Sequence, residues 1–279
     1  MQRPCAIEKF GSYAETIPAL LQAIGAPEIL SCQSRILIKP SLVNNSPPPV
    51  TLPVAACAAL VSACRSWSNA EIVIAEGSGE RYLTTIEVFR IHGFDRLAET
   101  YGVELVDLND SELIELRDPQ CRVFPSFMMP RLVMESFVIS AAVLKAHSLA
   151  RVTLSMKNMI GVAPPTFYQC GGHWKKSAFH EQMQTSIFEL NRYRKPDLAF
   201  IDATIGQAEH HLGGPTCDPP VNKLLAGFDP VAVDAVGAQL LGIPWQQVGH
   251  IKMADGVLGC AGPVADFFGS ESDHHHLRN

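Results

Sequence analysis

The longest strand-like run in the chain is FVISAAVL at residues 137–144, which leads directly into Lys145-Ala146-His147. Shorter apolar runs occupy residues 36–38, 72–75 and 198–201, and helical patterns separate them. Alternation of such strands with helices is typical of parallel βαβ units. We therefore expect an α/β fold, with a largely parallel sheet flanked by helices. Residues 161–176 are rich in glycine, proline and aromatic residues, which predicts a loop-rich lid insertion.

Two helix starts are marked by local signals. Asp229 followed by Pro230 is an N-cap with proline in the first turn, and it predicts a helix that ends near residue 241. Thr51 stands two residues before Pro53, so a helix is expected from there to about residue 65.

The size and charge of the chain limit the number of domains and the kinds of partner that we expect. Its 279 residues suit a single α/β domain at 1–268, with the core at about 35–260 and a flexible polar tail at 269–279. A net charge of −6 argues against nucleic acid or an anionic membrane surface as the main partner. No apolar stretch reaches membrane-spanning length, and the first residues lack the apolar core of a signal peptide. These features predict a cytoplasmic protein.

The cysteines do not form a recognisable metal motif. None of the eight is arranged as C-x-x-C, and free thiols are the expected state in a reducing compartment. Zinc or iron–sulfur ligation by some of them is the alternative. The eight are Cys5, Cys32, Cys57, Cys64, Cys121, Cys170, Cys217 and Cys260.

Ionisable residues follow the apolar runs at the point where each run ends. They are Lys39, Glu76, Lys145 with His147, Asp202, and Asp229 at the last helix start. The carboxyl ends of parallel strands share one edge of a sheet, and ligands bind outside that edge. The sequence therefore predicts one polar cleft there. The alternative is that these are ordinary polar loop residues without a function, because every strand ends in a loop and loop residues are usually polar.

The segment around Lys145 and His147 carries the most specific signal. The two side chains point the same way if the extended conformation persists, so they could bind an anion or act as general acid and base. In the following segment, residues 151–158, alternate side chains share one face if the segment is a strand. That face would present Arg151, Thr153, Ser155 and Lys157, which are donors suited to phosphate or carboxylate. An amphipathic edge strand with one wet face is the alternative.

The histidines in the second half of the chain do not decide whether the protein binds a metal. His173 lies in the expected lid, and His180, His210 and His211 follow. Two or three of them, with Asp202 or Glu76, could bind a divalent metal, although no H-x-x-x-H spacing is present. The tripeptide Gly77-Ser78-Gly79 follows a strand as phosphate-binding turns do, but it lacks a Walker lysine. His274 to His276, in the tail, have no assigned role.

Several motifs together resemble the domain-of-unknown-function 362 family. They are IKP at 38–40, AEG at 75–77, LKAH at 144–147, VTLSMKNMIG at 152–161, GGP at 213–215 and DPVAVD at 229–234. The resemblance implies the fold rather than an activity. Many members carry a ferredoxin-like domain with two four-iron clusters. This chain has no such cysteine array, so the resemblance does not imply a cluster of its own, and it leaves a redox partner protein open. Ser41 stands where the family usually has asparagine.

The function that we expect is enzymatic, on a small anionic organic substrate. The reaction would be proton transfer, as in an isomerase or epimerase, or reduction with an external electron donor. The expected catalytic residues are Lys145, His147, Glu76, Asp202 and His173. The expected substrate-binding residues are Lys39, Thr153, Ser155, Lys157 and Asn158. Two alternatives remain: a non-catalytic cofactor-binding or redox-complex accessory protein, and a nucleotide-binding protein. A homodimer is the base-rate expectation.

Overall fold

The computed structural model describes residues 5–262, along which strands and helices alternate. The strands are β1 (Ala6–Lys9), β2 (Arg35–Pro40), β3 (Glu71–Glu76), β4 (Glu104–Asp107), β5 (Leu113–Arg117), β6 (Ser126–Pro130), β7 (Phe137–His147), β8 (Arg151–Thr153), β9 (Leu198–Gln207) and β10 (Lys223–Gly227). The helices are α1 (Tyr13–Ala23), α2 (Ala26–Ser31), α3 (Val54–Trp67), α4 (Thr85–Ile91), α5 (Phe94–Tyr101), α6 (Arg131–Met134), α7 (Ser155–Asn158), α8 (Pro165–Tyr168), α9 (Met183–Tyr193), α10 (Pro230–Leu240) and α11 (Gly249–Ala254).

One large sheet organises the molecule, in the order β1-β10-β9-β7-β2-β3-β4. The strands β4, β3, β2, β7 and β9 pair in parallel, whereas β10 runs antiparallel to both of its neighbours. The short β8 pairs antiparallel with the last three residues of β7. The expected largely parallel sheet is therefore confirmed, and its antiparallel members lie at one side and at the end of β7.

Helices cover both faces of this sheet. Ile36 and Ile38 of β2 pack against α1 to α5 on one face. Leu37, between them, points to the other face, where α7, α9, α10 and α11 and the β5–β6 ribbon form a second apolar layer. Strands buried on both faces need continuous apolar sequence, which explains the uninterrupted run at residues 137–144.

The order of the strands reverses between β2 and β7. From β2 the chain moves outward to β3 and β4, and it then returns to the other side of β2 as β7. At such a switch point the connecting segments leave in opposite directions and open a crevice beyond the carboxyl ends of the strands. Lys39, Glu76 and Lys145 all lie at this edge.

Two local expectations were wrong. The helix expected at Thr51 begins at Val54, because the buried Thr51 hydroxyl donates to the Ser46 carbonyl instead of capping. The strand at 198–201 continues to Gln207, which places Asp202 inside β9. The alternation considered for residues 151–158 holds only in a strand, and the strand stops at Thr153, after which the chain turns into α7 at Ser155.

Other expectations were right. Asp229 caps α10, with its carboxylate accepting from the amides of Val231 and Ala232. Residues 161–176 hold only α8 and the end of a 3-10 turn, so this segment is loop-rich as expected. Among residues 5–262, none of the helices combines the length and apolar character needed to cross a bilayer. His274 to His276 lie outside the described residues.

Candidate functional site

A buried ion pair joins the ends of β2 and β3. The Lys39 ammonium donates to Glu76 Oε2 at 2.8 Å, and both side chains are almost fully shielded from solvent. Burial lowers the pKa of Lys39, and the Glu76 carboxylate opposes that shift. Glu76 also accepts from the backbone amides of Leu42 and Gly77. The carboxylate therefore fixes the ammonium and both strand-end loops at once.

Asn158 connects this pair to the next strand. Its Oδ1 accepts from the Lys39 ammonium at 3.3 Å, while its Nδ2 donates to the Lys39 carbonyl and to the hydroxyl of Ser140 on β7. Every polar atom of this buried amide is engaged, so its orientation is fixed.

Helix α7, which carries Asn158 and Lys157, is held by a carboxylate from α10. Asp234 accepts from the Ser155 amide at 2.8 Å, the Ser155 hydroxyl at 2.5 Å and the Met156 amide at 2.9 Å. These bonds turn the chain into a helix, so the alternation that would hold in a strand does not extend beyond Thr153. The Ser155 side chain consequently faces Asp234 and does not line the cleft. Burial raises the pKa of Asp234 to about 7.

Lys145 reaches the same edge from β7. Its ammonium donates to the Val50 carbonyl at 2.5 Å and to the Ser41 hydroxyl at 3.4 Å, both of which are neutral acceptors. Burial, followed by repulsion from Lys157, lowers the pKa of Lys145 to about 7. Lys145 can therefore gain or lose its proton near neutral pH.

Lys157 differs from the other lysines because it has no hydrogen bond or ion pair with any described residue. Burial lowers its pKa to about 8. The Thr153 hydroxyl is buried and has no partner within residues 5–262. The Lys157 ammonium and the Thr153 hydroxyl are therefore both donors with unused capacity.

The fourth lysine, Lys176, comes from the lid segment and was not singled out from the sequence. Its ammonium contacts Asn109 Oδ1 and the Ala163 carbonyl. Burial is the main cause that lowers its pKa to about 7. In the sequence this residue is an ordinary loop lysine, and only the way the lid folds back on the sheet edge places it in the site.

The four lysines surround one small cavity, which we call the lysine cleft. Its volume is about 90 Å³, room for about three water molecules at about 30 Å³ each. It is lined by Lys39, Ser41, Val43, Glu76, Gly77, Gly79, Lys145, Thr153, Lys157, Asn158, Ile160, Gly161, Lys176 and His211. Glu76 is the only carboxylate among these lining residues. Two larger hollows lie beside α4: one is lined by the exposed Arg90 and Arg96, and the lining of the other contains no lysine, arginine or carboxylate.

His147 lies next to the lysine cleft, in the position expected from β7. Its Nδ1 accepts from the backbone amides of Leu149 and Ala150, so the ring proton is on Nε2. Its ring stacks on that of His211 at 3.8 Å between centroids. Burial and the charge of Lys157 lower the pKa of His147, and the same causes lower that of His211 to about 3. Both imidazoles are therefore neutral, and His147 can donate a hydrogen bond without carrying charge.

Of the ten residues expected at the site, six line the lysine cleft and one, His147, is adjacent to it. The six are Lys39, Glu76, Lys145, Thr153, Lys157 and Asn158. Asp202 does not line the cleft: it lies inside β9, and the Tyr13 hydroxyl of α1 donates to it at 2.7 Å. His173 is exposed on the lid.

The metal site considered from the histidines does not form. In the part of the chain that the structure describes, no three His, Cys, Asp or Glu side chains are grouped so that they could hold an ion. Asp202 lies inside β9 and is bonded to Tyr13, and His173 is exposed, whereas Glu76 and His211 line the lysine cleft. The described cysteines are all free thiols.

Comparison with known proteins gives a family and no activity. A protein-family model described as "Domain of unknown function (DUF362)" matches residues 36–239 of the 279. This range contains all the residues that line the lysine cleft. No curated protein matches the chain.

Proposed function

Because the chain belongs to the DUF362 family, whose description leaves the activity open, we propose a function from its site: the lysine cleft binds a small organic acid and transfers a proton on it, with Lys145 as the general base. The observation that carries this proposal is the convergence of four lysines on one cavity that contains a single carboxylate. The size of the cavity favours an acid with only a few non-hydrogen atoms.

Anion binding is supported by the way the lysines are paired. Only Lys39 has a carboxylate partner, whereas Lys145 and Lys176 donate to neutral oxygens. Burying an ammonium without a counter-ion is costly, and lysines in that state lose protons instead. A bound carboxylate or phosphate would supply the missing counter-charge.

The choice of Lys145 as base follows from its bonding. A neutral lysine has two N–H groups and one lone pair. The Val50 carbonyl and the Ser41 hydroxyl accept the two N–H groups, which leaves the lone pair unused. A base with a pKa near 7 is matched to proton transfer at neutral pH. Lys39, Lys157 and Lys176 would bind the acidic part of the ligand, and the His147 Nε2–H would donate to a developing oxyanion.

Proton transfer can be measured without knowing the natural substrate. The protein would be incubated in D₂O with a panel of short 2-hydroxy- and 2-oxo-carboxylates, and loss of carbon-bound protons followed by NMR. We expect exchange in at least one compound, with a rate that rises with pH and reaches half its maximum near pH 7. Lys145→Met should lower this rate by about 100-fold or more.

The control is Lys252→Met, which removes an exposed lysine on α11 and should leave exchange unchanged. Thermal stabilisation by inorganic phosphate or by the same carboxylates tests binding separately. The proposal fails if none of these anions stabilises the protein and no compound exchanges protons.

A further inference from the structure

The positive charge of the lysine cleft is larger than one acid group can balance. When protonated, four lysines face one carboxylate, so three positive charges are uncompensated within the cleft. Lys39 is neutralised by Glu76 at 2.8 Å. The three others, Lys145, Lys157 and Lys176, have no ion pair within the described residues.

The side chains around the cleft do not change the number of uncompensated positive charges. The imidazoles of His147, His180, His211 and His250 are all shifted toward the neutral form by burial first and by Lys157 second. Two carboxylates stand outside the lining and are bound to other groups. Asp107 accepts from the Thr85 hydroxyl and the Asn109 amide, and Asp234 from the N-terminus of α7.

We infer that the ligand of the lysine cleft carries two negative charges, and that Lys157 and Thr153 bind its second acidic group. This inference rests on the proposed function and names the substrate class. A dianion balances two of the three free ammonium groups and leaves one lysine unprotonated. That lysine is Lys145, the base that proton transfer needs. A monoanion would leave a second lysine either neutral or uncompensated.

Thr153 and Lys157 fit the second subsite because both have unused donors. The Thr153 hydroxyl is buried without a partner, although it lines the cleft. Lys157 lines the same cavity and has all three N–H donors unused by the described residues. Buried polar groups are almost always bonded in native proteins, so the unpartnered Thr153 hydroxyl indicates an absent acceptor in the cavity, and the partly exposed Lys157 adds further free donors to the same lining.

Two ligand classes share this chemistry, a phosphate-type group and a short dicarboxylate, and matched probes separate them. Sulfate and methanesulfonate are both tetrahedral, but sulfate carries two negative charges and methanesulfonate carries one. Malonate and malonamate have nearly the same size, but an amide replaces one carboxylate in the second. Isothermal titration calorimetry at pH 7.5 would measure the affinity of the protein for each of the four anions. Titrations in two buffers of different ionisation enthalpy would also give the number of protons taken up on binding.

We expect at least one dianion to bind about tenfold or more tightly than its monoanion partner. Its binding should take up on the order of one proton, because it raises the pKa of the free lysines. Preference for sulfate would indicate a phosphate-type ligand, and preference for malonate a dicarboxylate. Lys157→Met should remove the preference for the dianion, and the exposed-site control Lys252→Met should keep it.

Thr153→Val provides a second variant that is not expected to impair folding, because it removes an unpaired hydroxyl and keeps the shape. This substitution should weaken binding of the dianion by about fivefold and leave the affinity for the monoanion unchanged. Equal affinity for the two members of both pairs would overturn this inference while leaving anion binding intact. Absence of binding by all four probes would overturn it together with the proposed function.

Discussion

At the scale of single residues, two glycines determine how closely the lid approaches the buried ion pair. A Cβ atom on Gly161 would lie 1.9 Å from Glu76 Oε1 and 2.5 Å from the Lys39 ammonium. A Cβ on Gly77 would lie 2.2 Å from the Gly161 carbonyl. Neither position can accept a side chain without displacing the pair or the backbone. The absence of side chains here is therefore a condition for closing the cleft.

Replacement of Gly161 by alanine tests this contact. Overpacking of this kind costs about 1–3 kcal/mol, so we expect Gly161→Ala to lower the free energy of unfolding by about 2 kcal/mol and to weaken malonate binding. The matched control is Gly79→Ala in the same cleft, where the new Cβ would meet the Val43 carbonyl at an ordinary 3.5 Å. Urea denaturation measures both variants. Equal stability of the two would contradict the packing argument.

At the scale of secondary-structure elements, α7 is a single turn that cannot be stable alone. A helix of four residues has not recovered the cost of its nucleation, and its stability must come from tertiary contacts. Asp234 supplies them, because its carboxylate accepts from two amides and a hydroxyl at the start of α7. The placement of Lys157 and Asn158 consequently depends on a residue in α10, about eighty positions later in the chain.

We expect Asp234→Asn to destabilise the protein by about 2 kcal/mol, because one acceptor is replaced by an N–H₂ group that faces the Met156 amide. Malonate affinity should fall with it, since α7 carries Lys157. Asp202→Asn is the matched control. In that variant the new N–H₂ group can donate to the Tyr13 hydroxyl, so the loss in free energy of unfolding should be smaller. Urea denaturation and calorimetric titration of both variants make the comparison, and losses of equal size would argue against the capping role.

At the scale of the whole molecule, the cluster of buried lysines makes stability depend on pH. The pKa values of Lys145 and Lys176 are lowered to about 7 in the folded protein, whereas the unfolded chain keeps ordinary values near 10.5. The unfolded state therefore binds more protons between these limits, and the free energy of unfolding rises with pH. Burial raises the pKa values of the Cys57 and Cys64 thiols, and these groups oppose the rise only as the pH approaches the ordinary thiol value of about 8.5 in the unfolded chain.

The prediction is a rise in unfolding free energy between pH 7.5 and 8.5 without ligand, measured by urea denaturation. Each lysine contributes a slope of about 1 kcal/mol per pH unit. Lys145→Met should therefore reduce the total slope by about that amount, while Lys252→Met should leave it unchanged. A slope that is the same in Lys145→Met and the natural protein would show that Lys145 is not perturbed as described.

The sequence by itself determined the class of fold and most of the strand ends. Continuous apolar runs are required of strands covered on both faces, so the strands at residues 36–38, 72–75 and 137–144 could be recognised from local sequence. Because the carboxyl ends of parallel strands share an edge, the sequence alone was enough to predict that Lys39, Glu76 and Lys145 would meet.

The tertiary structure alone decided the rest of the lysine cleft. Alternate side chains of residues 151–158 would share one face in a strand, but Asp234 binds the backbone amides there and the chain forms a helix, which turns Ser155 away. Asp202 is lost from the cleft because β9 continues past it to Gln207. Lys176 is gained because the lid folds back to Asn109. Local patterns report what each segment favours, whereas these three outcomes depend on partners that are distant in the chain.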